Sequence, residues 1–153
     1  MSSLNALSVA VEVAERQRDE ARKVLQDTIA AQQAARAQLD QLQSYARETE
    51  ARWGMKADST VKPEVMFHHY HFMGRLDHAT GIQTGVVGDQ AQRVEAARRT
   101  LLDAELRLAS LRKVVEKRRR DQELADMRRD QKQTDERAAL RYSNAGRDPV
   151  GQE

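Results

Sequence analysis

A chain of 153 residues with a formal charge of only +2 is long enough for a globular domain, but its 39% apolar and 4% aromatic residues, against 33% charged, cannot build a thick core. Having no cysteine, it has no disulfide, thiolate metal site or thiol nucleophile. Its apolar runs stop at three or four residues, where about 20 are needed to cross a bilayer, and the opening residues lack a basic stretch followed by an apolar core, so a cytoplasmic protein is expected.

Alanine, leucine, glutamine, arginine and acids dominate, a profile that favours long helices sharing one narrow seam. Alternating steps of three and four from Leu4 lead through Leu7, Val11, Ala14, Arg18, Ala21, Leu25, Thr28, Gln32, Ala35, Leu39, Leu42, Ala46 and Thr49 to Trp53, and eleven of these fifteen positions are apolar. A first helix over about residues 3–53 is predicted, supported on its exposed side by pairs such as Glu12/Arg16, Asp19/Lys23 and Glu48/Arg52. Gly54 and the polar run after it predict a bend over residues 54–62, and Pro63 stands where the first turn of a new helix tolerates proline.

The second helix is predicted over about residues 63–142, with a flexible tail over 143–153 that contains Gly146 and Pro149, the whole forming a single hairpin. Its cleanest seam is Val94, Ala97, Leu101, Ala104, Leu108, Leu111 and Val115, all apolar. Gly81, Gly85 and Gly88 precede it, and there the apolar pattern changes phase by one residue, predicting a soft or bent segment. Folding back at the bend sets Leu42 opposite Leu76, Ala14 opposite Leu101, Leu7 opposite Leu108 and Leu4 opposite Leu111. Beyond Val115 the same heptad positions are Arg118, Gln122, Ala125, Arg129 and Lys132, so about 25 residues, roughly 40 Å, are expected to protrude as a polar helix with no partner in its own chain.

Histidines gather at His68, His69 and His71, with His78 further on. His68 and His71 have helical ligand spacing, but a metal hydrolase also wants the glutamate of an H-E-x-x-H helix, which is missing, so no metal site is assigned. A phosphate-binding glycine loop, a nucleophile elbow and a pocket for paired carboxylates are all lacking, so neither a cofactor nor an enzyme activity is expected. Val65, Met66, Phe67, Tyr70, Phe72, Met73 and Leu76 crowd the stretch after the bend, with Tyr45 beside Leu42 on the facing helix, more than one seam can bury; either a short extra packing layer forms or an exposed apolar patch marks a protein interface, and the interface is the expectation. The segment 112–141 carries eleven Lys or Arg against seven Asp or Glu. Lys117-Arg118-Arg119-Arg120 could touch phosphates, but acids are interleaved and no aromatic residue is available for base stacking before Tyr142, which argues against nucleic acid.

Several blocks carry a resemblance: Leu4 and Leu7 with Val13-Ala14-Glu15 and Arg18-Asp19-Glu20-Ala21, then Gln38-Leu39 with Leu42 and Tyr45, and finally Asp130-Gln131-Lys132 with Asp135-Glu136 and Arg141. In order and spacing the chain resembles the FliJ family of flagellar export proteins over residues 1–141. The resemblance implies an all-α antiparallel two-helix coiled coil similar to the stalk (gamma) subunit of rotary ATPases. It implies a seat in the ring of the export ATPase FliI, contact with the export gate protein FlhA, and interaction with export chaperones. The place implied is the cytoplasmic side of the inner membrane at the flagellar base, peripheral to it through the gate, in a protein of motility and chemotaxis.

Carried over by position, the gate-facing residues are Gln38, Leu42 and Tyr45 on the first helix and Phe72, Leu76 and Ala79 on the second. The basic residues expected to meet the ATPase ring are Arg118, Arg119, Arg129 and Lys132. Thr49 and Gln83 depart from the family pattern, which has a further aromatic and a histidine there. The reading is a non-enzymatic stalk and adaptor of flagellar type III export. Its rivals are the equivalent stalk of a virulence secretion system, a basic nucleic-acid-binding coiled coil, and a tethering coiled coil.

Overall fold

The computed structural model describes residues 2–56 and 62–146. All but the junction residues are in two helices, α1 (Ser2–Lys56) and α2 (Pro63–Ala145). Pro63 opens α2 where its missing N–H costs nothing, Glu64 adds a carboxylate at the positive end of the helix dipole, and the Lys62 carbonyl accepts from the N–H groups of Val65 and Met66 at 3.1 and 3.2 Å. At the other end Gly146 donates its N–H to the Tyr142 carbonyl at 3.0 Å, closing the last turn.

Both helices run a few residues past the ends that periodicity predicts. α1 continues through Gly54 to Lys56, because one glycine costs only about 1 kcal/mol in a helix and methionine and lysine, both good helix formers, follow it. Ser143 to Ala145 are likewise helical. Of the predicted bend and tail, residues 57–61 and 147–153 lie outside the described residues.

Packing follows the heptad count on α1 closely. All fifteen positions from Leu4 to Trp53 are buried or half-buried, joined only by Ala10, Glu15 and Ile29. On α2 the count corrects the predicted phase change. Buried and half-buried positions step back from Val94 through Gln90, Val87, Gln83, Thr80, Leu76 and Met73 to His69 without a break, still in threes and fours. The seam therefore keeps one phase past Gly81, Gly85 and Gly88, which are exposed. Thr80, Gln83 and Gln90 are polar, so a count of apolar residues loses a register that the backbone keeps.

Contacts divide the chain into two compact units. In Ala14–Leu106 the helices run antiparallel: Gln38 meets Gln83, Tyr45 meets Phe72 and Trp53 meets His69, so numbers rise on one helix as they fall on the other. Its core is thin, comprising Ala14, Ala21, Ala35, Leu76, Val94 and Ala97, none more than 8% exposed. Four of these six are alanines, so little apolar area per turn holds the pair, at roughly 25 cal/mol per Å² buried. In the other unit, Met1–Val13 with Arg107–Glu153, α1 supplies half-buried Leu4, Leu7, Ala10 and Val11, and α2 supplies Leu108, 2% exposed, with half-buried Leu111 and Val115. From residue 116 to 146 every residue is exposed.

Candidate interaction surfaces

Within Ala14–Leu106, the six gate-facing candidates fall into three layers. Leu76 is in the core at 8% exposed, and Leu42, Phe72 and Ala79 are half-buried around the seam. Tyr45, 50% exposed, sets its ring edge-on to Phe72, with centroids 5.9 Å apart and planes at 82°. That T-shaped geometry is favoured by the ring quadrupoles and is worth about 0.5–1.5 kcal/mol beyond burial. The pair forms a ridge that is open on its Tyr45 side, while Leu76 is buried in the core.

Gln38 is exposed on α1 and ties the helices together. The Gln83 side-chain amide donates to the Ala35 carbonyl at 2.8 Å and to the Gln38 Oε1 at 3.2 Å, so a seam glutamine finds its acceptors on the facing helix. A polar seam position satisfied across the interface specifies register, because a slip of one residue leaves the amide unpaired. Apolar periodicity does not reveal this clamp, because Gln83 is polar and stands out in the sequence only as a departure from a family pattern. Counting threes and fours back from Val94 would have placed Gln83 on the seam. Thr49, the other departure, is half-buried and donates its hydroxyl to the Tyr45 carbonyl at 2.7 Å.

Nearer the start of α2, Trp53 stacks on His69 with ring centroids 4.1 Å apart and planes at 29°. Phe67 sits on the other side of the helix, edge-on to His71 at 4.6 Å and to His68 at 6.2 Å. The seam takes in His69 and Met73, and Phe72 and Leu76 pack beside or within it, which leaves Val65 and Met66 at 44% and 58% exposed and Phe67 and Tyr70 at 60% and 80%. These four are the exposed apolar surplus that the composition of this stretch predicts. Among the described residues no three His, Cys, Asp or Glu side chains converge in a way that would hold a metal ion.

In the other unit, Arg118, Arg129 and Lys132 continue the seam positions of α2, and Arg119 lies one residue off that line. All four are exposed. Short-range pairs lace this part of the helix: Arg120 with Glu116 at 3.3 Å, Arg129 with Asp126 at 3.5 Å, and the Gln131 amide donating to Asp135 at 3.3 Å. Each such exposed pair contributes only about 0.2–0.5 kcal/mol, so the helix here is supported by its own surface rather than by a core. Among the described residues no helix is long and apolar enough to cross a membrane.

Comparison with known proteins is consistent with this geometry. The family model described as "Flagellar FliJ protein" matches residues 3–147. No curated protein sequence matches the chain. Among solved structures, the putative YscO homolog CT670 from Chlamydia trachomatis is similar with a TM-score of 0.72 at 18% identity, over 97% of this chain and 96% of that one. At that identity the similarity speaks for the fold, an antiparallel helical hairpin.

Proposed function

This chain belongs to the flagellar FliJ protein family and is a type III export-associated protein, and from that premise we propose that it is a non-enzymatic stalk and adaptor between the export ATPase ring and the export gate, and a partner of export chaperones. It would work on the cytoplasmic side, held to the membrane only through the gate. The observation that carries this reading is the end of the seam at Val115 while α2 runs on to Ala145 with every residue exposed. A helix without a buried stripe draws little stability from its own chain, because packing supplies most helical stability in proteins. Such a helix is suited to being ordered by a surrounding partner, and a ring supplies contacts on all sides, Arg118, Arg119, Arg129 and Lys132 among those it would meet. The ridge of Tyr45 and Phe72, with Gln38, Leu42 and Ala79 around it and Leu76 buried in the core, is the surface proposed for the gate.

Hydrogen exchange on the full chain tests both assignments at once. Alone, amides of residues 116–145 are expected to exchange quickly. The export ATPase should slow them, and the cytoplasmic part of the gate protein should instead protect the residues around Tyr45 and Phe72. Slow exchange over 116–145 in the isolated protein, or ATPase-dependent protection confined to other residues, would defeat the stalk assignment.

A further inference from the structure

The exposed helix of α2 is not uniform around its circumference. Seam positions continue through Leu111, Val115, Arg118, Gln122, Ala125 and Arg129. Two residues after each of these come Lys113, Lys117, Arg120, Leu124, Met127 and Gln131. At about 3.6 residues per turn, a step of two carries a side chain to the opposite side of the helix. These six therefore form a stripe facing away from the seam line, and the same count continues to Thr134, Ala138 and Arg141.

No acid occurs anywhere on that stripe, although the segment 112–141 holds seven. Three cations lead it, and two large apolar side chains follow, Leu124 at 51% and Met127 at 66% exposed, with Arg128 beside them. Lys113, Glu116, Lys117, Arg120, Asp121 and Leu124 line a shallow groove on this side. Arg120 also reaches Glu116 at 3.3 Å, an exposed pair that exchanges readily for another carboxylate. The seam-side line is basic too, through Arg118, Arg129 and Lys132, but its only apolar residues beyond Val115 are alanines.

We infer that the stripe from Lys113 to Met127 is a docking face for an amphipathic helix that carries acidic residues beside an apolar row. Carboxylates of that helix pair with Lys113, Lys117 and Arg120, and its apolar row covers Leu124 and Met127. Charge complementarity selects an acidic occupant, and the two apolar side chains select a protein over a polyphosphate. A nucleic acid makes no use of Leu124 and Met127 and finds no aromatic platform on the stripe. The inference rests on the stalk reading only for where the acidic helix comes from, the ATPase ring, and it shifts the main contact away from the seam-side arginines.

The test uses the full chain and a synthetic helical peptide with leucines at i, i+3, i+4 and i+7 flanked by glutamates. The controls are a peptide of equal charge with glutamine for leucine, and a single-stranded RNA of matched charge. Binding measured by fluorescence anisotropy is expected for the leucine peptide, weakening at least tenfold in Leu124→Gln/Met127→Gln and in Lys113→Glu/Lys117→Glu, and at higher salt. Arg16→Gln/Arg22→Gln/Lys23→Gln, exposed in the other unit, should leave it within twofold, and the seam-side Arg118→Gln/Arg129→Gln/Lys132→Gln should weaken it less than Lys113→Glu/Lys117→Glu. All these positions are exposed, and circular dichroism of each variant checks that helicity is kept. Equal binding of the leucine-free peptide, tighter binding of RNA, or no loss in Leu124→Gln/Met127→Gln would overturn the inference. Repeating the series with the full-length export ATPase separates it from the wider reading. Loss of ATPase binding only in the seam-side triple variant overturns this face and keeps the stalk, whereas no ATPase binding by the unaltered chain defeats the stalk while the peptide result stands.

Discussion

At the scale of single residues, position in the hairpin separates side chains that hold it together from those free to meet a partner. Leu76 is 8% exposed and Tyr45 50%, though both stand among the gate-facing candidates. Leu76→Ala is therefore expected to cost about 2–5 kcal/mol, the usual range for truncating a core leucine, and to lower the melting temperature clearly. Tyr45→Ala gives up one edge-on ring contact and should cost about 1 kcal/mol of stability, yet weaken gate binding at least tenfold, as loss of an interface aromatic commonly does. Calorimetric binding and thermal melting on the two variants check this; the reverse pattern would make Tyr45 a packing residue. Gln83 permits a second expectation. Replacing a satisfied seam amide by an apolar side chain of similar size removes both a hydrogen bond and the cost of burying its donor, so Gln83→Leu should melt within about 1 kcal/mol of the original. Its effect should appear instead as looser register, seen as additional cross-helix pairs when single cysteines on α1 and α2 are disulfide-scanned.

At the scale of the element, α2 carries more glycine than its helicity requires. A Cβ built at Gly74, Gly81, Gly85 or Gly88 meets nothing within 4 Å, so no close approach explains them. Glycine weakens a helix by about 0.8–1 kcal/mol relative to alanine. Gly81→Ala/Gly85→Ala/Gly88→Ala is therefore expected to stabilise the protein by about 2–3 kcal/mol, read as a higher melting temperature and slower hydrogen exchange around residues 80–90. A lower melting temperature would mean that the open space at these glycines is needed. The seam itself runs through this segment without a phase change, so whatever softness the glycines bring lies in backbone propensity and not in a break of packing.

For the whole molecule, the contrast between packed and unpacked helix bears on what can be removed. Ending the chain after Val115 deletes no buried or half-buried position among the described residues. The deleted turns carry no buried stripe, and packing supplies most helical stability, so little is lost with them. Such a truncated protein should melt close to the full chain and still bind the gate while losing the export ATPase. Unfolding on truncation, or undiminished ATPase binding, would contradict the division of labour proposed here.

Much of this was legible in the sequence because a heptad is a local, periodic signal. The count from Leu4 to Trp53 located every seam residue of α1, and the run from Val94 to Val115 located the seam over that stretch of α2; the loss of apolar residues from the seam line beyond Val115 likewise marked where packing ends. The facing of Tyr45 and Phe72 followed from the seam register, since Tyr45 precedes Ala46 and Phe72 falls opposite it, and the two rings do meet; their assignment to the gate came from family resemblance. What the sequence alone misjudged lay where polar residues occupy a buried line: Thr80, Gln83 and Gln90 made the seam seem to shift, and only the facing helix, with the Ala35 carbonyl and Gln38 as acceptors, showed that it does not. The same holds for the division of the gate candidates into core and surface. Periodicity fixes which side of a helix a residue is on, but burial and hydrogen bonding depend on what the other helix brings opposite it, and that is a property of the tertiary structure.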